Sequence, residues 1–170
     1  MEPRPETPPP KRRWTRAQVV YAVALFVSAW TLVGLALPPN DVLPHNGMEL
    51  AGAAFFFVFG LFTISMGYQH PNLGYYSFDR VSQVASILVL GPVEAALING
   101  LASFVYPWHR LRKGVAPRDV LYAAINNSGL MATIVLAAGT AYSSVGGPVP
   151  LTSLTPATIA ALLSWSDSAL

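Results

Sequence analysis

Residues 81–106 read VSQVASILVLGPVEAALINGLASFVY, and this stretch decides how the chain folds. It is apolar almost throughout, yet Gly91-Pro92 interrupts it after only ten residues. Proline lacks a backbone N–H and its ring clashes with the preceding helical turn, so a helix must end or kink at this point. Two arrangements are open: one kinked helix of about 26 residues, or a hairpin of two short helices, Val81–Leu90 and Val93–Tyr106.

Charged residues are few and unevenly placed around this stretch. Of the 170 residues, 53% are hydrophobic and 11% are charged, whereas soluble domains average roughly 25% charged residues. Uncharged runs extend for 24 residues after Arg16, 29 after Glu49 and 47 after Asp119. A helix needs roughly 20 apolar residues to cross a bilayer. Each run can therefore hold a transmembrane span, and the composition argues against a soluble domain.

Four more apolar segments flank the central stretch. They are Val19–Leu37, Leu50–Tyr68, Val120–Tyr142 and Ala157–Leu170. The first is too long for the apolar part of a signal peptide and lacks a small-x-small cleavage site, so we expect it to remain as a span. The last has 14 residues and includes Asp167, and is predicted to be the beginning of a span in a chain truncated at this point.

Two basic clusters set the predicted orientation. One precedes the first apolar segment and the other lies between two later segments; the members are Lys11, Arg12, Arg13 and Arg16, then Arg110, Arg112, Lys113 and Arg118. Basic residues accumulate in cytoplasmic loops, so both clusters are expected in the cytoplasm. If the N-terminus is cytoplasmic, the first span leads out and the second returns, so the segment with Arg80 is also cytoplasmic. The second cluster can then be cytoplasmic only if the chain crosses an even number of times between residues 80 and 109, which favours the hairpin over the kinked helix.

The predicted fold class is all-α. We expect a polytopic transmembrane helical bundle of five spans plus an incomplete sixth, with a Gly-Pro hairpin between short segments three and four. Residues 1–17 contain five of the 15 prolines and are predicted to form a disordered basic cytoplasmic arm, with residues 18–170 as the transmembrane domain. Residues 69–80, rich in aromatic side chains, are predicted to form an interfacial loop. The expected location is the cell (inner) membrane, with a cytoplasmic N-terminus.

Glu94 is the one acidic residue within the central stretch. It lies two residues after Pro92, in the first turn of the second short helix. A carboxylate at this position could bind a ligand, a cation or a proton at the hairpin tip. It could equally stabilise the free N–H groups and the dipole at the helix N-terminus. The sequence leaves both interpretations open.

The uncharged residues Asn99, Asn126 and Asn127 form the best candidate constellation. At 1.5 Å per residue, Asn99 and Asn126 each lie about 10 Å from the inner ends of their helices, so they are predicted at similar depth. Hydrogen bonds between these helices would join them. A polar pocket for a small molecule is the alternative, and Gln83, with Ser82 and Ser86, could line the same cavity.

No catalytic or metal-binding motif is evident. The chain has no cysteine, which excludes disulfides and thiol chemistry. Nucleophile-elbow, zinc-protease and phosphate-loop motifs are absent, so no enzyme activity and no cofactor are predicted. His45 lies four residues from both Asp41 and Glu49, but a loop containing Pro and Gly is a poor metal site, and no metal is predicted. Because the basic clusters flank apolar segments, nucleic acid is not an expected partner.

The central stretch carries a family resemblance. Residues 75–80 (YYSFDR), residues 84–97 (VASILVLGPVEAAL) and Asn126 in the next helix resemble multi-helix membrane sensor regions of bacterial signalling proteins. Those regions precede cytoplasmic GGDEF, HD-GYP or histidine-kinase domains. The same short-helix and Gly-Pro pattern is similar to the substrate-binding subunits of energy-coupling-factor vitamin transporters. The resemblance covers roughly residues 75–130.

The resemblance implies a signal-input module of a bacterial membrane receptor. Such a module would couple a ligand or membrane state to a cytoplasmic output domain that is not in this chain. The expected partners are the lipid bilayer, a small-molecule ligand, and an output domain or a second copy of the chain. The alternative is a substrate-binding subunit for uptake of a vitamin-like molecule. A third hypothesis is a structural membrane protein whose polar residues only join helices.

Overall fold

The computed structural model describes residues 14–37, 47–70, 74–76, 78–151 and 158–160. Five α-helices dominate it: α1 (Arg16–Ala36), α2 (Gly47–Ser65), α3 (Asp79–Leu90), α4 (Pro92–Val105) and α5 (Pro117–Ser144). Two strands, β1 (Tyr68–His70) and β2 (Gly74–Tyr76), lie between α2 and α3, and a 3₁₀ helix, Tyr106–Lys113, follows α4. Residues 158–160 are also helical.

Helix α1 begins within the range that the sequence assigned to the arm. Thr15 caps it: the Gln18 N–H donates to Thr15 Oγ1 at 3.3 Å, and the Thr15 N–H donates to Gln18 Oε1 at 3.0 Å. This reciprocal pair satisfies two N–H groups that a helix start otherwise leaves free. Helix α1 thus starts two residues before the transmembrane domain predicted from residue 18. The rest of the arm, residues 1–13, lies outside the described residues.

The chain reverses direction between α3 and α4. Gly91 separates the two helices with φ 103° and ψ 169°, a region that is essentially restricted to glycine. Asn99 Nδ2 donates to Ser86 Oγ at 2.9 Å across this turn. On one continuous helix these residues would lie about 20 Å apart. Helices α3 and α4 therefore lie side by side.

A missing donor at Pro92 is replaced from elsewhere in the fold. The carbonyl of Leu88 would normally accept from the residue four positions on, but that residue is Pro92, which has no N–H. The Leu151 N–H donates to Leu88 O instead, at 2.8 Å. The segment that follows α5 is thereby held against the turn at Gly91.

Neighbouring contacts give the direction of each helix. At one end, a Cβ built on Gly52 of α2 would lie 3.6 Å from Leu90, and one on Gly139 of α5 would lie 2.8 Å from Pro92. We call this the Gly91 end. At the opposite end, Trp14 and Tyr122 are 5.9 Å apart, ring to ring. Successive helices from α1 to α5 therefore alternate in direction.

Helix α4 occupies the centre of the bundle. It packs most extensively against α5 and also contacts α1, α2 and α3. Half of its 14 residues are buried, and most of them are small: Ala95, Ala96, Ile98, Asn99, Gly100, Ala102 and Ser103. Small side chains let neighbouring helices approach closely when packing, rather than water exclusion, drives association. Around this helix, the core continues with Val33, Ile87, Val135 and Tyr142.

Three helices are long and apolar enough to cross a membrane: α1, α2 and α5. At 1.5 Å per residue they reach about 32, 28 and 42 Å, against a hydrocarbon core of about 30 Å. Their outward faces carry exposed apolar side chains such as Val20, Leu35, Phe55, Val58 and Ile134. Helices α3 and α4 reach only about 18 and 21 Å by the same measure. The helical membrane-type bundle is thus confirmed at the level of three candidate spans.

The segment predicted as an interfacial loop contains a strand pair. Strands β1 and β2 are antiparallel, with Tyr68 opposite Tyr76 and His70 opposite Gly74. Aromatic residues favour extended backbone, which explains the departure from a purely helical chain. The loop prediction is also wrong at its end, because α3 already begins at Asp79. The predicted incomplete sixth segment, Ala157–Leu170, lies outside the described residues except for residues 158–160.

Candidate functional site

Three buried polar side chains meet where α2, α3 and α4 pack together. Ser82 and Ser86 are fully buried on α3, and Asn99 is 6% exposed on α4. Gly60 of α2 lies against them, since a Cβ built on it would be 3.6 Å from Ser82 Oγ and 4.0 Å from Asn99 Oδ1. We call Gly60, Ser82, Ser86 and Asn99 the polar junction. Buried polar groups inside a membrane protein are costly, so their partners decide what the site can do.

Asn99 uses its donors within the protein. Its Nδ2 donates to Ser86 Oγ at 2.9 Å and to the Ala95 carbonyl at 2.8 Å. Ser86 in turn donates to the Gln83 carbonyl at 2.8 Å. Both amide hydrogens are therefore satisfied. The amide oxygen, Asn99 Oδ1, accepts no hydrogen bond from any described residue.

Ser82 is the least satisfied group in the described structure. Its hydroxyl is completely buried, and it is the one fully buried side-chain polar atom of the described residues without a hydrogen-bond partner. A hydroxyl left unpaired in a buried site costs roughly 1–3 kcal/mol. Together with Asn99 Oδ1 it leaves an unused donor and an unused acceptor beside Gly60.

The polar junction carries no charge of its own. Its side chains are two hydroxyls and one amide, none of which titrates near neutral pH. Such a site suits a neutral group that both accepts and donates hydrogen bonds, for example a hydroxyl or an amide. It does not suit a bare cation, because only two of its side-chain oxygens, Ser82 Oγ and Asn99 Oδ1, form no hydrogen bond with the described residues and could coordinate one.

Gln83 acts outside the junction, although the sequence placed it in the same cavity. Its Nε2 donates to Asp79 Oδ2 at 3.2 Å and lies 3.2 Å from Met131 Sδ on α5. The side chain is half-buried. It therefore ties the first turns of α3 to α5, while its backbone carbonyl accepts from Ser86.

The structure does not join Asn126 or Asn127 to Asn99. Asn126 is half-buried and Asn127 is exposed on α5, and neither amide bonds to another described residue. The expected hydrogen bond between Asn99 and Asn126 is therefore not formed, and the Asn99 amide donates to Ser86 and Ala95 instead. Similar depth did not bring the two amides together.

Glu94 lies apart from the polar junction. It is exposed in the first turn of α4, and its Oε2 would lie 3.2 Å from a Cβ on Gly91. The side chain therefore folds back over the turn at the helix N-terminus. This is the position that favours a carboxylate through the free N–H groups and the dipole.

Sequence reasoning missed a second polar contact between helices. The Trp30 indole N–H on α1 donates to Ser128 Oγ on α5 at 3.1 Å. A Cβ on Gly100 of α4 would lie 3.2 Å from Trp30, so the three helices meet here. A buried indole N–H needs an acceptor, which was the available signal. Its partner could not be read from the sequence.

Among the described residues, no group of three or more His, Asp or Glu side chains comes together as metal ligands would. The weak candidate of His45 with Asp41 lies outside the described residues. No protein-family model, curated protein or solved structure shows significant similarity to this chain. The site must therefore be interpreted from its own chemistry.

Proposed function

We propose that this chain is the membrane-embedded signal-input module of a receptor. The bundle would couple a ligand, or a change in the membrane, to a cytoplasmic output domain. The observation that carries the proposal is the polar junction, where the Ser82 hydroxyl and Asn99 Oδ1 have no partner among the described residues at the crossing of three helices. A structural junction would be expected to satisfy its own polar groups.

The proposed ligand is a small neutral molecule with a hydroxyl or amide group. Such a group could donate to Asn99 Oδ1 and pair with Ser82 Oγ, removing the cost of leaving the buried Ser82 hydroxyl unsatisfied. Binding would then stabilise one packing of α2 against α3 and α4. A ligand shifts an equilibrium only by its differential affinity for two states, so it must bind this packing more tightly than the alternative. An attached output domain would detect the change in packing.

The proposed topology has five crossings. Helices α1, α2 and α5 cross as full spans, and α3 and α4 cross as a short hairpin shielded by them. Support comes from charge: among the described residues, every Lys and Arg lies at the end of the bundle opposite the Gly91 end, and Glu49 and Glu94 lie at the Gly91 end. The positive-inside rule then assigns the basic end to the cytoplasm.

A ligand screen on the purified protein tests the proposal. Melting temperature would be measured against a panel of neutral hydroxyl- and amide-bearing metabolites, for the wild type, Ser82→Ala and Asn99→Ala. Thr140→Ala is the matched control, because its hydroxyl is exposed and bonds only within α5. We expect a stabilising compound to lose at least tenfold in affinity in both junction variants and to bind the control normally. Unchanged affinity in both junction variants would remove the junction from the site.

Uptake of a small molecule is the second candidate function, since it also uses a polar site within the bundle. Spin labels on α2 and α4 separate the two functions, because distances can be compared with and without a bound compound. Signalling predicts that the helices shift on binding in the isolated chain. A substrate-binding subunit predicts tight binding with accumulation of labelled compound in cells that supply an energising partner.

A further inference from the structure

The 3₁₀ helix Tyr106–Lys113 has a side-chain arrangement suited to a membrane surface. With three residues per turn, positions three apart lie directly above one another. Trp108 and Leu111 therefore form one column, and they are 38% and 36% exposed. Arg110 and Lys113 form the neighbouring column, and Arg112 continues the third, all three exposed. The apolar column thus lies beside one column with two cations and one column with a single cation.

Within the described residues, the cations of this helix have no acidic partner. Arg110, Arg112 and Lys113 form no ion pair or hydrogen bond through their side chains with the part of the chain that the structure describes. Residues 106–118 contain no Asp or Glu at all. Of the described acids at this end, Asp79 accepts from Gln83, and Asp119, in the first turn of α5, forms no ion pair with these cations. Three cations grouped on eight residues repel one another unless an anion lies between them.

Aromatic rings surround this helix, as is typical of a membrane boundary. Trp108 packs against Phe104 of α4 with ring centroids 6.2 Å apart. Nearby on α5, Tyr122 contacts Trp14 and lies under the Arg118 guanidinium, which is 5.3 Å from the ring centroid. Trp and Tyr gather where hydrocarbon meets headgroups. In a membrane, rings at this position would bring the cations of the 3₁₀ helix close to the lipid phosphates.

We propose that the 3₁₀ helix Tyr106–Lys113 is a binding site for anionic phospholipid headgroups. Trp108 and Leu111 insert toward the acyl chains, and Arg110, Arg112 and Lys113 bind the phosphate and headgroup oxygens. Because this helix continues from α4 and packs against α5, a bound lipid acts on the two helices that form the core of the bundle. The site does not depend on ligand binding at the polar junction.

Charge complementarity selects the anionic lipid over a neutral one. Juxtamembrane Lys and Arg each contribute to attraction by anionic lipid, and this attraction falls off within a Debye length. The apolar column binds acyl chains of any lipid equally. The preference for anionic over neutral lipid therefore depends on the three cations, whereas overall lipid contact depends also on Trp108.

Native mass spectrometry of the full chain, titrated with phosphatidylglycerol or phosphatidylcholine, tests the site. We expect the wild type to prefer phosphatidylglycerol and the triple variant R110Q/R112Q/K113Q to lose about 100-fold in affinity for it, at about fivefold per charge. The charge-retaining variant R110K/R112K should remain within a few fold of the wild type. Glu94→Gln, at the Gly91 end, is the control for general charge effects and should bind as the wild type does.

Other outcomes of the same titrations would either overturn the lipid site or support it. Equal affinity of the wild type for both lipids would overturn it, as would full phosphatidylglycerol binding by the triple variant. Trp108→Ala should lower the affinity for both lipids to the same extent. Raised salt should lower only the affinity for phosphatidylglycerol. If the triple variant fails to fold, as judged by circular dichroism, the lipid preference of the wild type and its salt dependence still decide the question.

Discussion

Single side chains in this protein differ most in whether their polar atoms have partners. Asn99 donates to Ser86 across α3 and α4, and Trp30 donates to Ser128 across α1 and α5. Ser82 is buried beside Asn99, and its hydroxyl has no partner among the described residues. Burying a polar group without a hydrogen bond is unfavourable, and satisfying it is only modestly favourable. The sign of a serine-to-alanine substitution therefore reports which condition applies.

Ser82→Ala is expected to stabilise the ligand-free protein. It removes an unsatisfied buried hydroxyl, so the free energy of unfolding should rise by about 1–3 kcal/mol. Ser86→Ala is the matched change one turn away, and should lower it by about 0.6–2 kcal/mol, because Asn99 Nδ2 loses one of its two acceptors. Thermal unfolding in detergent, followed by circular dichroism, measures both. A destabilised Ser82→Ala variant would mean that the hydroxyl has a partner.

At the scale of helices, glycine decides where elements approach. A Cβ on Gly129 would lie 2.8 Å from the backbone N and Cα of Phe26 on α1, and backbone atoms cannot rotate aside. A Cβ on Gly60 would make ordinary contacts of 3.4 Å or more. Close backbone contact between α1 and α5 is therefore possible only because position 129 lacks a side chain.

Gly129→Ala is expected to separate α1 from α5. The forced displacement should lower the free energy of unfolding by about 1–3 kcal/mol and lengthen the Trp30–Ser128 bond, which changes tryptophan fluorescence. Gly34→Ala is the control, because nothing lies within 4 Å of its added Cβ. In a helix interior that control should raise stability by up to about 1 kcal/mol. Equal behaviour of the two variants would contradict the close crossing.

The turn between α3 and α4 depends on the backbone conformation of Gly91. Its φ of 103° and ψ of 169° lie where other residues are strained by about 1–3 kcal/mol. Gly91→Ala should therefore destabilise more than Gly114→Ala. Gly114 has φ 75° and ψ 16° in the milder left-handed helical region, with open space around it. Chemical denaturation of both variants gives the ranking, and the reverse order would show that the turn is not strained as described.

For the whole molecule, the arrangement of charge predicts orientation. Glu94 lies at the Gly91 end and Lys113 at the basic end, and both side chains are exposed. The chain has no cysteine, so single-cysteine variants give no background labelling. If the five-crossing topology holds, Glu94→Cys should react with an impermeant maleimide from outside and Lys113→Cys only after the membrane is opened. Labelling of both from the same side would favour a topology in which α3 and α4 do not cross.

The sequence anticipated most element boundaries because these depend on local properties. The apolar runs lie within two or three residues of α1, α2 and α5, and Gly91-Pro92 separates α3 from α4. The 3₁₀ helix was not anticipated, since a short sequence rich in basic residues is equally typical of a loop. The strand pair was missed because three-residue strands carry almost no periodic signal.

The sequence by itself determined where the chain is apolar, where helices must stop and which polar residues lie within them, because these properties depend on neighbours along the chain. Only the tertiary structure decided which of them meet. From their positions along the helices, Asn99 and Asn126 were predicted at the same depth. The rotation of each helix about its own axis instead directs Asn99 to Ser86. That rotation is set by close packing at positions such as Gly129 and Gly139, which lie against residues distant in sequence. The unpaired Ser82 hydroxyl likewise emerges only from packing.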